Sequence, residues 1–399
     1  MPAIQSIYNR RILNSHAQFT DEYVIQLQDG SAGAGASPQG ETISIYEDGR
    51  VAIAPLFIIN RIRDDGLIGR SLEQEQFDDY LDRHISLFGR NNVYSLSLAF
   101  MKAEEMARTA QDPNGKTTTA GNLPRICCNI LNGGRYAYTN PVLSDFPEYI
   151  LVARSRDLAE VIADHSEIQR LVRETLRAQK KTVVAGNTVN RFASTDNREC
   201  LDFLLTILER LRLSGKFDLM IDASAGDLWT DEGYRHSITD QSLCSSDQYG
   251  QYWMGIIRQY NLAFLEDPFH EQDVEAWRQL TASQRQCKII GDNVYASDAA
   301  RIAHGAARQY THGVVIKPNQ SGTITAVRRA IECARHHAQI VITSHRSIST
   351  EETFVSSLTC EYDVPYIKIG PLLADYSSVI RLNALIRLTE QGNGNRNTD

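Results

Sequence analysis

The chain reads as an α/β barrel joined to a smaller N-terminal α+β capping domain, and three observations lead there. Between Phe217 and Gly370 short apolar runs alternate with segments of helical spacing. After the first interval the chemically active ends of those runs recur roughly every 25 residues, the length of one strand, loop, helix and return loop. Nearly every run closes on a residue able to do chemistry. FDLMIDAS ends near Asp222, LAFLEDP carries Glu266, CKIIGDN carries Asp292, GVVIKPNQ carries Lys317, QIVITSHRS closes on Ser344 to Ser347, and PYIKIG carries Lys368. In a barrel of parallel strands the C-terminal strand ends converge on one mouth, so residues distant in sequence surround one ligand.

The 399 residues exceed a barrel alone, which takes about 250, and leave room for the companion domain. Residues 1–125 form it. Alternation in IQSIYNRRIL and EYVIQLQDG, with an Asp-Gly turn, predicts an antiparallel meander. Helices are expected near 72–88 and 93–110. The stretch SAGAGASPQG, within a loop assigned to 31–44, is expected to be mobile; it reads equally as a surface linker or as a lid that excludes water from the mouth. From Ile126 to Leu388 the larger domain follows. PEYILVARS is a strand preceded by Glu148, LAEVIADHSEIQRLVRETLRAQKK an amphipathic helix, KTVVAGN a strand and RECLDFLLTILERLRL a helix. Residues 389–399, polar and aperiodic, form a frayed tail.

Composition excludes several function classes. A net charge of −8 argues against a nucleic-acid binder, whose affinity comes from clustered Lys and Arg. No run approaches the roughly 20 apolar residues of a membrane span, and the N-terminus lacks the apolar core of a secretory signal, so a cytoplasmic protein without a membrane partner is expected. Seven cysteines show no C-x-x-C spacing and read as reduced thiols.

LNGG, LEDPF, GDN, IKPNQSGT, TSHRS and KIGPL, in this order and spacing, resemble enolase, the enzyme that dehydrates 2-phosphoglycerate to phosphoenolpyruvate. The resemblance implies Asp222, Glu266 and Asp292 as Mg²⁺ ligands, hard oxygen donors suited to that ion. It implies Lys317 as the base that removes the substrate α-proton, which requires a lowered pKa. Lys368 is implied on the substrate carboxylate, Arg346 and Ser347 on its phosphate, and His345 at the substrate side. Thr42 falls near the lid residue of a second magnesium site. A homodimer and a small phosphorylated or phosphonylated acid as substrate are implied likewise.

The departures bear on mechanism. Where enolases carry an acidic loop, this chain reads GNTVNRFAS from Gly186 to Ser194, with no carboxylate. After NGG it has Arg135 and Tyr136 in place of a histidine. The remaining catalytic glutamate corresponds to Glu148 by the strand pattern and to Asp145 by an ungapped count. Loss of hydroxide needs a proton donor. Either Glu148, Asp196 or Glu199 supplies it, or the substrate differs. Carboxyphosphonoenolpyruvate synthases resemble enolases with altered acid and phosphate loops, and Arg135 could pair with the extra carboxylate of such a substrate. An ordinary enolase with a relocated acid and a non-catalytic binding protein are the alternatives. His270, after LEDPF, is a further candidate for contact with substrate or lid.

Overall fold

Strands β1 (Ile4–Leu13) and β2 (Phe19–Leu27) pair antiparallel, as their alternation predicts. The Asn14 side chain accepts from the backbone N–H groups of His16 and Gln18 and so shapes the turn between them. Strand β3 (Ala32–Ala36) completes the sheet against β2. The glycine-rich run expected to be mobile is therefore, in its first half, a packed strand. Helix α4 (Arg90–Gln111) lies directly on it: a Cβ on Gly33 would stand 2.1 Å from the Ala99 carbonyl oxygen, and one on Gly35 2.1 Å from that of Ser95. Glycine there answers to a close approach of backbones, which periodicity does not register.

The computed structural model describes residues 2–40, 43–47, 53–112, 122–136, 138–372 and 375–394. Helices α1 (Pro55–Asp64), α2 (Gln74–Arg83) and α3 (Ile85–Phe88) complete the small domain with α4. Only α1 was not anticipated. Its proline sits in the first turn, where the missing N–H costs nothing. Ile25, Leu27, Ile58, Phe77 and Phe100 fill the core between sheet and helices.

The large domain opens with β4 (Arg125–Gly133), the two-residue β5 (Pro141–Val142) and β6 (Glu148–Ala153). Helix α5 (Leu158–Arg177) follows, capped by the Asp157 carboxylate on the N–H groups of Ala159 and Glu160. Strands β7 (Lys180–Val184) and β8 (Asn187–Arg191) form a hairpin where one strand was expected. Its two linking residues, Ala185 and Gly186, both have positive φ, the geometry that keeps a right-twisted hairpin closed. Helix α6 (Arg198–Arg210) and strand β9 (Phe217–Asp222) come next, followed by a small sheet of β10 (Trp229–Thr230), β11 (Gly233–Arg235) and β12 (Leu243–Cys244).

The alternation then becomes regular. It runs α7 (Ser246–Tyr260), β13 (Phe264–Glu266), α8 (Val274–Ser283), β14 (Lys288–Gly291), α9 (Ala299–Ala307) and β15 (Gly313–Ile316). The short α10 (Pro318–Ser321) and α11 (Ile324–His336) lead to β16 (Ile340–Ser344), α12 (Phe354–Glu361), β17 (Tyr366–Lys368) and α13 (Tyr376–Gly394). Residues 389–394, read as frayed, continue that last helix.

Strands β4, β6, β9 and β13 to β17 close into a ring through the β17–β4 pairing. The ring is not wholly parallel: β6 runs antiparallel to both β4 and β9. No helix separates β4 from β6, and without a helical crossover the chain returns alongside itself in the opposite sense. Inside the barrel Cys127, Ile150, Met220, Phe264, Ile290, Val315 and Ile342 pack together, one from each of seven strands. Their neighbours Cys128, Leu151 and Ile221 face the helices, as strand alternation requires. All seven cysteines are free. No described helix is long and apolar enough to cross a membrane.

Candidate active site

Strand register does most of the assembling. Glu148, Asp222 and Glu266 stand level on the adjacent strands β6, β9 and β13. Lys368, ending β17, reaches all three carboxylates: its Nζ lies 2.9 Å from Glu148 Oε2, 3.2 Å from Asp222 Oδ2 and 2.8 Å from Glu266 Oε2. Lys317, one residue past β15, pairs with Asp292, one residue past β14. Both lysines, Asp222, Glu266 and Asp292 are buried.

Burial and crowding set the ionisation of this cluster. Burial pushes the Glu266 carboxyl well up, and the nearby Asp222 carboxylate pushes it further. Asp222 resists the same burial because Lys368 and Lys317 draw it below its usual range. For Lys368, burial favours the neutral amine, but Glu148, Glu266 and Asp222 outweigh it and hold the ammonium. Lys317 behaves alike: burial lowers its pKa, the Asp292 carboxylate more than restores it, and the result is raised. The lowered pKa expected of a base is therefore not a property of the chain alone.

The fit to magnesium rests on charge and donor type. Three carboxylates surround the single Lys368 ammonium, and Asp292 keeps a buried Oδ1 with no hydrogen-bond partner. Such an excess of buried negative charge and an unused hard oxygen suit a divalent cation. Among the described residues no three Asp, Glu, His or Cys side chains converge as a ready metal cage, since the ammonium groups stand between the acids. The donors fit the ion; their present arrangement is that of paired charges.

His345, Arg346 and Ser347 follow β16 and line the same cavity as Lys317, Lys368, Glu148 and Asp222. Burial and the cations of Arg381 and Lys368 hold His345 neutral, well below the usual imidazole range. Its Nδ1 lies 2.8 Å from the Arg346 carbonyl oxygen, so Nδ1 carries the hydrogen and donates it. Arg346 is buried, with Nη1 2.8 Å from Glu47 Oε2.

The choice between Glu148 and Asp145 resolves on geometry. Asp145 accepts hydrogen bonds from the backbone N–H groups of Ile238 and Thr239 and ties loops together away from the cavity. Glu148 faces the cavity, fixed by Asn129 Nδ2 donating to its Oε1 at 2.8 Å. The other proposed donors lie elsewhere. Asp196 pairs with Arg198, and Glu199 caps the Ser194 N–H. Arg135 is exposed outside the cavity, because the turn after β4 points it to solvent and brings in Tyr136 and Tyr138 instead. His270 stacks on Trp229 and is likewise outside. Thr42 lies outside the described residues.

Sequence reasoning missed Asp267, whose carboxylate accepts the N–H groups of Asp292 and Asn293 at 2.9 and 2.8 Å and so sets the loop carrying Asp292. Strand alternation would have turned it from the mouth, but its φ of 45° breaks the strand directly after Glu266. Glu47 and Tyr138 were missed as well, and Tyr136 was noted only as standing in place of a histidine. Their contacts, between segments far apart in the chain, leave no local pattern.

Comparison with known proteins agrees with this geometry. The family described as Enolase, C-terminal TIM barrel domain, matches residues 120–397. Enolases of Legionella pneumophila strains Lens and Philadelphia 1 are each 27% identical over 420 residues, covering 98% of this chain and 98% of theirs. A closed barrel with lysines and carboxylates at one mouth, matched over its whole length by the family's description, makes the chain a member of the enolase family.

Proposed function

We propose that the protein is a magnesium-dependent lyase that removes the α-proton of a small carboxylic acid bearing phosphate or phosphonate and releases an enolpyruvyl product. The observation that carries this is the meeting of Lys317, Lys368, Glu148 and Arg346 in one cavity beside buried carboxylates. Asp222, Glu266 and Asp292 would hold magnesium, which would offset negative charge on the substrate carboxylate. Lys317, in its neutral amine form, accepts the α-proton at Nζ. Lys368 binds the substrate carboxylate, and Arg346 with Ser347 binds the phosphorus group, for which a guanidinium offers paired donors. Glu148, oriented by Asn129, acts in its protonated form: it gives that proton to the departing oxygen and is left as the carboxylate that faces Lys368.

A carboxyphosphono substrate, as used by carboxyphosphonoenolpyruvate synthases, is the specific form of this reading. It is supported by the stretch from Gly186 to Ser194, which carries no carboxylate where the resemblance to enolases implies an acidic loop. The outward course of Arg135 removes that residue from the reading. The test follows α-proton exchange in heavy water with 2-phosphoglycerate and with a carboxyphosphono analogue. Exchange is expected in the wild type and absent in Lys317→Ala, while magnesium still binds; exchange retained by the variant would remove Lys317 as base. Faster turnover of 2-phosphoglycerate than of the analogue would make the protein an ordinary enolase.

A further inference from the structure

The described residues that follow β3, 37–40 and 43–47, meet the barrel, and one of their side chains grips the arginine of the anion site. Gln39 exchanges two backbone hydrogen bonds with Ile348, of 2.7 and 2.9 Å. Ser44 Oγ donates to the carbonyl oxygen of Asn293, the neighbour of Asp292 in the chain, at 2.6 Å. Glu47 is the keystone of these contacts. Its Oε2 meets Arg346 Nη1 at 2.8 Å, and its Oε1 accepts from Gln320 Nε2 at 3.0 Å and from Ser44 N at 3.2 Å.

Both charged side chains are nearly removed from water, Glu47 9% and Arg346 3% exposed. An ion pair at that depth holds one geometry, since losing either partner strands the other charge. The cavities around it show which side Glu47 takes. Arg346 borders both the active-site cavity and the adjoining one under the capping domain, whereas Glu47 borders only the second. The carboxylate thus holds the guanidinium from behind. Gly40 presses on the same group, with so little room that an added Cβ would overlap the guanidinium.

We propose that Glu47 is a positioning residue that aims Arg346 at the phosphate or phosphonate of the substrate and makes that anion site depend on the docked loop. A substrate anion arriving on the cavity side meets a guanidinium already oriented, and Gln320, three residues past Lys317, ties the same carboxylate to the base-bearing loop. The assignment rests on the reading of Arg346 as the anion ligand.

Inorganic phosphate titrated calorimetrically into the full chain with magnesium present tests it. Glu47→Ala should weaken phosphate about tenfold, as for one lost charge-assisted hydrogen bond, and leave magnesium affinity unchanged. Glu47→Gln keeps an acceptor for Arg346 and should stay within about threefold of wild type. Glu47→Asp, a folded alternative should the alanine variant fail to fold, retracts the carboxylate and should lose affinity like alanine. Wild-type or tighter phosphate binding by the alanine and aspartate variants would overturn the proposal, because Glu47 would then be a bystander or a competitor. Should Arg346→Ala bind phosphate as the wild type does, the anion-ligand reading itself fails, and it is told apart by that arm.

Discussion

Asp292 shows how much one side chain decides at the site. Its Oδ2 holds the Lys317 ammonium while its Oδ1 stays buried without a partner. Asp292→Asn removes a charge from the donor set, so magnesium affinity should fall at least about tenfold in a calorimetric titration. Unchanged affinity would take Asp292 out of the set. Asn129 offers a second test. Replacing it by Asp puts a like-charged oxygen where the Asn129 amide nitrogen now donates to Glu148 Oε1 at 2.8 Å. Product formation should drop about a hundredfold, the scale of a general-acid contribution, while α-proton exchange through Lys317 persists. Asp222, Glu266, Asp292, Lys317 and Lys368 were all legible as residues, because each ends an apolar run. Their pairing was not, since a strand end says where a side chain starts and not which opposite charge it meets.

At the scale of elements, β3 and α4 carry the clearest prediction. Gly33→Ala would drive a methyl into the Ala99 carbonyl, so thermal denaturation should show a loss of ~1–3 kcal/mol. An exposed glycine such as Gly215, with open space around it, should tolerate alanine and serves as the control. Helix α5 supplies a pH dependence. Burial and then Arg173 hold the buried His165 down to about 4, below its ordinary value of 6.5. The unfolded chain binds a proton there before the folded one does. The contribution of neutral His165 is therefore full above the ordinary value and is lost as pH falls from 6.5 toward 4. His165→Gln should flatten the fall in stability across that window, measured by denaturant titration. Apolar period exposed α5 and the other long helices, whereas the β7–β8 hairpin hid behind a single apolar run.

For the whole molecule, a cation bound only by the folded barrel mouth must stabilise the fold. At magnesium a hundred times its Kd the gain is ~2.7 kcal/mol, and chelation should lower the thermal midpoint accordingly. A midpoint indifferent to magnesium and chelator would contradict a site built from three strands. The barrel was readable because six of its eight strands, β9 and β13 to β17, repeat one local pattern, and each of these needs only its own residues to declare itself. The capping meander was readable for the same reason. What the chain's order of residues could not convey is contact between segments hundreds of positions apart: Glu47 on Arg346, α4 on the glycines of β3, Lys368 among Glu148, Asp222 and Glu266. Periodicity is a property of neighbours along the backbone, so it yields strands, helices and the acids and amines at their ends. Which charges share a cavity, which way Arg135 turns and whether a lysine holds its proton depend on burial and Coulomb energy, and those exist only once the chain has closed on itself.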